Sequence, residues 1–183
     1  MPSSAKMNSR IPLRAERRMA GQRGFSIIEL VIVATIVGVL AAMAMPTLGS
    51  LVRDQRIKTA VSDINASIIY ARSEAIKRNT TVAICAKNAD GSGCGNTTNW
   101  GVGWIVFEDA DGNGYPGSVT DYLKKQDAIT GVTVSGTGGN LSYLRDGRLA
   151  APLAADFVVS ATGSVSRCVA VSVSGRPNIK PTC

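Results

Sequence analysis

From Phe25 to Met45 the chain runs as 21 residues of nearly uniform apolarity that carry a single charge, Glu29. At a helical rise of ~1.5 Å per residue this run is about 30 Å long, the thickness of one bilayer core, and it predicts a membrane helix. A carboxylate left unpaired at the bilayer centre costs roughly 2.5 to 3.5 kcal/mol, so Glu29, near one end, calls for a cationic partner. Ahead of the run lie Lys6, Arg10, Arg14, Arg17, Arg18 and Arg23 against Glu16, which places +5 of the chain's net +7 in the leader. By the positive-inside rule the N-terminus is cytoplasmic and the remainder lies across the membrane. A cleaved secretory signal is the competing reading, with Ala41-Ala42-Met43-Ala44 as its small-residue site. Against it, the run exceeds an h-region of ~7 to 15 residues, and an acid interrupts it.

At 183 residues the chain holds one domain beyond that segment. All four cysteines, Cys85, Cys94, Cys168 and Cys183, follow the apolar run, as expected for an oxidising compartment. Three pairings are possible and spacing alone does not choose among them. Short local loops containing Gly or Pro favour Cys85 with Cys94 and Cys168 with Cys183. Histidine is absent and neither pair has a CxxC spacing, so disulfides are expected and no metal.

Pro46 lacks an N–H and is expected to loosen the helix as it leaves the apolar run, without ending it. Between Leu51 and Lys77 the residues Ile57, Val61, Ile64, Ile68, Ala71 and Ala75 step by four and three. Arg53, Asp54, Lys58, Asp63, Arg72 and Lys77 fall mainly elsewhere, so one face must pack on a sheet. Asn79-Thr80 ends the helix. Thereafter 81–86, 103–108, 121–126, 132–135, 141–144, 157–160 and 168–173 read as strands separated by Gly, Asn and Asp. A long helix followed by such runs is α+β. Trp100 and Trp104, on one strand, would share a buried face.

No catalytic set emerges, and neither an enzyme nor a cofactor is expected: the serines have no base partner, and the cysteines are assigned to disulfides. Glu108, Asp109, Asp111 and Asn113-Gly114 open like an EF-hand loop, but position twelve is Thr120 and the flanking elements are strands. An acidic turn between strands accounts for them. The segment Leu141 to Cys183 carries Arg145, Arg148, Arg167, Arg176 and Lys180 against Asp146 and Asp156, a net +3 suited to phosphates. With no aromatic platform, such contact would be weak, salt-sensitive and independent of sequence. Arg167 to Cys183 reads as a strand, a Ser-Gly turn and a Pro-held arm closed by a disulfide.

Gly24-Phe25-Ser26-Ile27-Ile28-Glu29-Leu30, the apolar helix and Pro46 resemble the class III signal of type IV pilins and type II secretion pseudopilins. The resemblance implies that a prepilin peptidase cuts between Gly24 and Phe25 and methylates Phe25, with the helix retained. The new ammonium of Phe25 then supplies the partner that Glu29 requires. Residues 71–78, 100–107 and 109–114 are similar to the GspH/FimT branch of minor pilins. The fold implied is the type IV pilin fold: a cleaved leader 1–24, a transmembrane assembly helix 25–46, its amphipathic continuation 47–80, and an antiparallel β domain 81–183. The function implied is a structural subunit of a type IV pilus, single-pass in the bacterial inner membrane with a periplasmic domain, partnered by other pilins. The alternative is a type II secretion pseudopilin. FimT proteins bind DNA through a basic C-terminal Gly-Arg-x-Arg motif. Gly175 and Arg176 match it, Asn178 stands in place of the second Arg, and double-stranded DNA is the implied further partner.

Overall fold

The computed structural model describes residues 24–151 and 155–183, with the side chains of 44–48 and of Val119 excepted. The expected leader, apart from Gly24, lies outside the described residues. The chain forms two compact units, one reaching to Ala42 and one spanning Met43–Cys183. Helix α1 covers Ile27–Arg78, so helical backbone continues through Pro46. In the first unit every described side chain from Gly24 to Ala42 is exposed. Among the described residues no helix is long and apolar enough to cross a membrane; the expected span, Phe25–Met45, runs into the side chains that are not described.

In the second unit the inward stripe of α1 is the one its spacing predicts. Ile57, Val61, Ile64, Ile68, Ala71 and Ala75 are all buried, while Ile69 and Ile76 face outward. The helix ends in a Schellman arrangement: Asn79 takes φ 54°, its N–H reaches the Ile76 carbonyl (3.4 Å), and the Thr80 N–H reaches that of Ala75 (3.3 Å). The carboxylate of Glu74, buried against the domain, bonds Arg78 (2.6 Å) and Lys77 (3.3 Å), and Arg78 continues to Glu108 (3.3 Å). The Arg78 hydrogen bond is the main cause that holds the Glu74 carboxyl below its usual range.

Eight strands follow: β1 (Val82–Ala86), β2 (Gly103–Glu108), β3 (Tyr122–Asp127), β4 (Thr133–Gly136), β5 (Asn140–Tyr143), β6 (Ala155–Ser160), β7 (Arg167–Val171) and β8 (Pro177–Lys180). They form two four-stranded antiparallel sheets, β3-β2-β1-β5 and β4-β6-β7-β8. The stripe of α1 and the inner faces of both sheets share one core, with Val82, Ile84, Trp104 and Val106 from the first sheet and Phe157, Val159, Val169 and Val171 from the second. The opposite face of the first sheet is also covered. There Ala83, Cys85, Ile105 and Phe107 form a small second cluster with Cys94 and Tyr122. This explains why β1 is buried along its whole length rather than alternately.

Cys85 is bonded to Cys94 (Cα–Cα 5.6 Å) and Cys168 to Cys183 (Cα–Cα 5.3 Å), the two local pairings. Two expectations need correction. The Pro-held arm is a strand, β8, because pairing Val169 with Ile179 satisfies backbone groups that a free arm would leave open. Trp100 is on a short 3-10 turn, Trp100–Val102, rather than on the strand of Trp104, since the Asn99 side chain caps that turn by accepting from the Gly101 N–H. Both rings are buried all the same. Trp100 donates Nε1–H to the Gly138 carbonyl (2.9 Å) and meets Phe157 edge-on at 4.8 Å.

Candidate functional site

Two regions carry the expected site residues. At the first, Gly24, Phe25 and Ser26 precede the helix in non-helical backbone, and the first helical hydrogen bond runs from the Leu30 N–H to the Ser26 carbonyl (3.2 Å). The Gly24–Phe25 peptide is therefore outside the helical ladder, and Phe25 is 83% exposed. Glu29 sits in the first turn of α1, where a negative charge also complements the positive end of the helix dipole. Pro46 lies within α1, but its side chain is not described.

The second region is the basic C-terminal segment, whose five cations the structure distributes over two turns and two grooves. After β5 the chain turns through Leu144 to Arg148, closed by the Gly147 N–H on the Leu144 carbonyl (2.8 Å). After β7 it turns through Ser172 to Arg176, closed by the Gly175 N–H on the Ser172 carbonyl (2.8 Å). The two turns touch. Tyr143, buried beneath them, donates its hydroxyl to the Gly175 carbonyl (3.2 Å), and burial raises its pKa. Arg72 of α1 donates to the Gly147 carbonyl (2.9 Å) from below. Arg145, Arg148 and Arg176 are thereby exposed at one end of the domain, with Asp146 near Arg148 (3.9 Å) as the local counter-charge.

Arg167 and Lys180 are at the other end of the β7–β8 pair, where Lys180 is registered with Cys168. At ~3.3 Å per strand residue, Lys180 is about 13 Å along the edge from Arg176. Between them runs a groove of about 570 Å³ in which Asn178 and Asp156 face the same side, because Asp156 pairs with Ala170 and Ala170 with Asn178. Arg167 instead lines a groove against α1 with Asp54 and Lys58. The five cations are thus spread over the domain: Arg145, Arg148 and Arg176 on the two touching turns, Lys180 in the groove that Arg176 also lines, and Arg167 in the groove against α1. Sequence reading missed the roles of Arg72 and Asp156. Arg72 was legible only as a polar helix flank, and Asp156 acquires its place through strand register alone.

Residues 60–175 match the family described as Type II transport protein GspH, and residues 19–45 match the prokaryotic N-terminal methylation motif. The chain belongs to the GspH family. It is a minor pilin of the GspH/FimT type. Two fimbrial proteins of Pseudomonas aeruginosa are each 30% identical to it over 96 residues, which is 52% of this chain and 57% of theirs. Among solved structures, the type IV minor pilin FimU of Pseudomonas aeruginosa matches in two crystal forms. One gives a TM-score of 0.57 at 23% identity, covering 70% of this chain and 90% of that one. The other gives 0.54 at 25% identity, covering 68% and 92%. The family and the fold are those of pilin structural proteins.

In this minor pilin the geometry of the basic end depends on Gly175. Its φ is 78°, and a Cβ there would collide with the Gly147 carbonyl and approach the Tyr143 ring to 2.8 Å. Gly163 has a similar φ of 75° with nothing within 4 Å, so it isolates the backbone term. Gly175→Ala should lower stability in urea unfolding by about 1 to 3 kcal/mol from the left-handed backbone alone, plus a steric cost absent from Gly163→Ala. Equal losses for the two variants would contradict the packing of the two turns.

Proposed function

We propose that this minor pilin is a single-pass protein of the bacterial inner membrane with a periplasmic domain, processed between Gly24 and Phe25 by a prepilin peptidase and assembled into a type IV pilus. The observation that carries the reading is the N-terminal methylation motif matched at residues 19–45, together with the exposure of every α1 side chain from Ile27 to Met43. A stretch holding Phe25, Ile27, Ile28 and Leu30 at the surface requires an apolar environment, supplied first by lipid and then by neighbouring helices. In the filament the ammonium of processed Phe25 and the carboxylate of Glu29 neutralise each other between subunits and set the register. The likeness to FimU supports a pilus rather than a secretion machine, while the family's description keeps type II secretion as the alternative.

Contact with double-stranded DNA is a second reading. It is supported by the arrangement of Arg145, Arg148 and Arg176 on two touching turns, which offers three cations to one backbone. Asp156 in the neighbouring groove works against extending that contact toward Lys180. Three phosphate contacts imply a slope of roughly −3 in the logarithm of affinity against the logarithm of salt.

Glu29→Ala is expected to leave the membrane level of the protein unchanged and to deplete it from sheared pili. Normal incorporation would overturn the role given to Glu29, and a strain with normal pili but impaired protein secretion would favour the type II alternative. In a mobility-shift assay with duplex DNA at low salt, the triple change Arg145→Ala/Arg148→Ala/Arg176→Ala should abolish retardation and Arg167→Ala/Lys180→Ala should largely keep it. No retardation of the unaltered protein, or retardation that survives the triple change, would remove DNA from the account.

A further inference from the structure

The loop that leaves β2 contains a carboxylate oxygen with no use in the fold. Asp109 is 1% exposed, and its Oδ1 has no hydrogen-bond partner. Its other oxygen, Oδ2, accepts the N–H of Gly114 at 3.1 Å, which fixes the carboxylate inside the turn formed by residues 109–114. The turn closes with the Gly112 N–H on the Asp109 carbonyl (3.2 Å), and Gly112 and Gly114 both take positive φ, 71° and 78°. Burial pushes the Asp109 carboxyl above its ordinary value, and the adjacent Asp111 carboxylate pushes it further, while the Gly114 N–H acts in the opposite direction. A buried acidic oxygen without a donor is costly, and a bound proton or a bound cation relieves that cost.

We infer that the loop Asp109 to Gly114 is a low-affinity calcium site in which the buried Oδ1 of Asp109 is the anchoring ligand. The side chains at alternate positions, Asp109, Asp111 and Asn113, all offer oxygen, and none offers nitrogen from imidazole or sulfur. Oxygen-only donors select hard cations, and an irregular loop with backbone carbonyls suits the longer, variable distances of calcium better than the strict octahedron of magnesium. Asp111 is already turned toward the loop: its oxygens accept from the Asn113 backbone (3.3 Å) and side chain (2.6 Å). Asn113 in turn receives the Tyr115 N–H on its own Oδ1 (2.7 Å), and Asn140 holds the Gly114 carbonyl (3.2 Å), so the donors are fixed before any ion arrives. Among the described residues no set of three or more acidic, cysteine or histidine side chains gathers as a metal site, so beyond Asp109 and Asp111 the ligands here would be amide and backbone oxygens and water. Two carboxylates without the bidentate acid at position twelve, where Thr120 stands, place the affinity at about 10⁻⁴ to 10⁻³ M, the range of extracellular calcium modules.

The test is thermal unfolding of the full-length protein in detergent, followed by the fluorescence of buried Trp100 and Trp104, after removal of metal with a chelator. Calcium at 5 mM is expected to raise Tm by about 3 °C with half-saturation below 1 mM, and magnesium at the same concentration to leave it nearly unchanged. Asp111→Asn removes an exposed carboxylate and leaves the buried one, so it should fold normally and weaken half-saturation at least tenfold. No calcium shift in the unaltered protein would assign a proton to Asp109 and overturn the site. Equal shifts with calcium and magnesium, or an undiminished calcium shift in Asp111→Asn, would also overturn it.

Discussion

One contact surface sustains the β domain of this protein: the stripe Ile57, Val61, Ile64, Ile68, Ala71 and Ala75 of α1, laid across the inner faces of two sheets. Neither sheet buries its apolar face without that helix, and the second half of the helix has no other apolar partner in its own domain. The last two positions of the stripe are alanines, and both are fully buried. There the Asn79 cap and the Glu74–Arg78–Glu108 chain of ion pairs lock helix to β2, and the next residue, Asp109, opens the acidic loop. The same helix thus organises the core along its stripe and anchors the start of the acidic loop at its end.

Function is divided along α1 by environment. Its second half is amphipathic and buries one face in the domain, whereas from Gly24 to Met43 every described side chain is exposed, most of them apolar. An apolar helix surface of that extent is satisfied by lipid or by other helices, and a single acid at its first turn is tolerable only where a cation can meet it. The basic end of the domain follows different rules. Its three arginines are displayed by two turns whose contact rests on Tyr143, Arg72 and a glycine with no room for a side chain.

Much of this was legible in the residues because it is local. The helix stripe follows from a period of 3.6, its end from Asn79, and seven of the eight strands from alternation and turn residues, each within a few residues of its observed bounds. Local too were Cys85 with Cys94 and Cys168 with Cys183, each closing a short loop. What the sequence hid is pairing at a distance. Strand β8 is recognisable only once β7 is there to register it, because Pro177 and the neighbouring turn disguise four residues as an arm. The placement of Lys180 in the groove of Arg176, of Arg167 in a different groove, and the intrusion of Asp156 likewise depend on which strand lies beside which. The apolar cover over the outer face of β1 was invisible for the same reason, since it is assembled by the loop that carries Cys94.

The central claim is that the apolar helix is retained as the assembly element of the mature subunit after cleavage of a short basic leader. Determining the N-terminal sequence and intact mass of the protein recovered from membranes tests it most directly. The account predicts a mature chain that begins at Phe25, with the added mass of one methyl group on its amine. A chain that begins beyond Ala44, with the apolar helix gone, would contradict it.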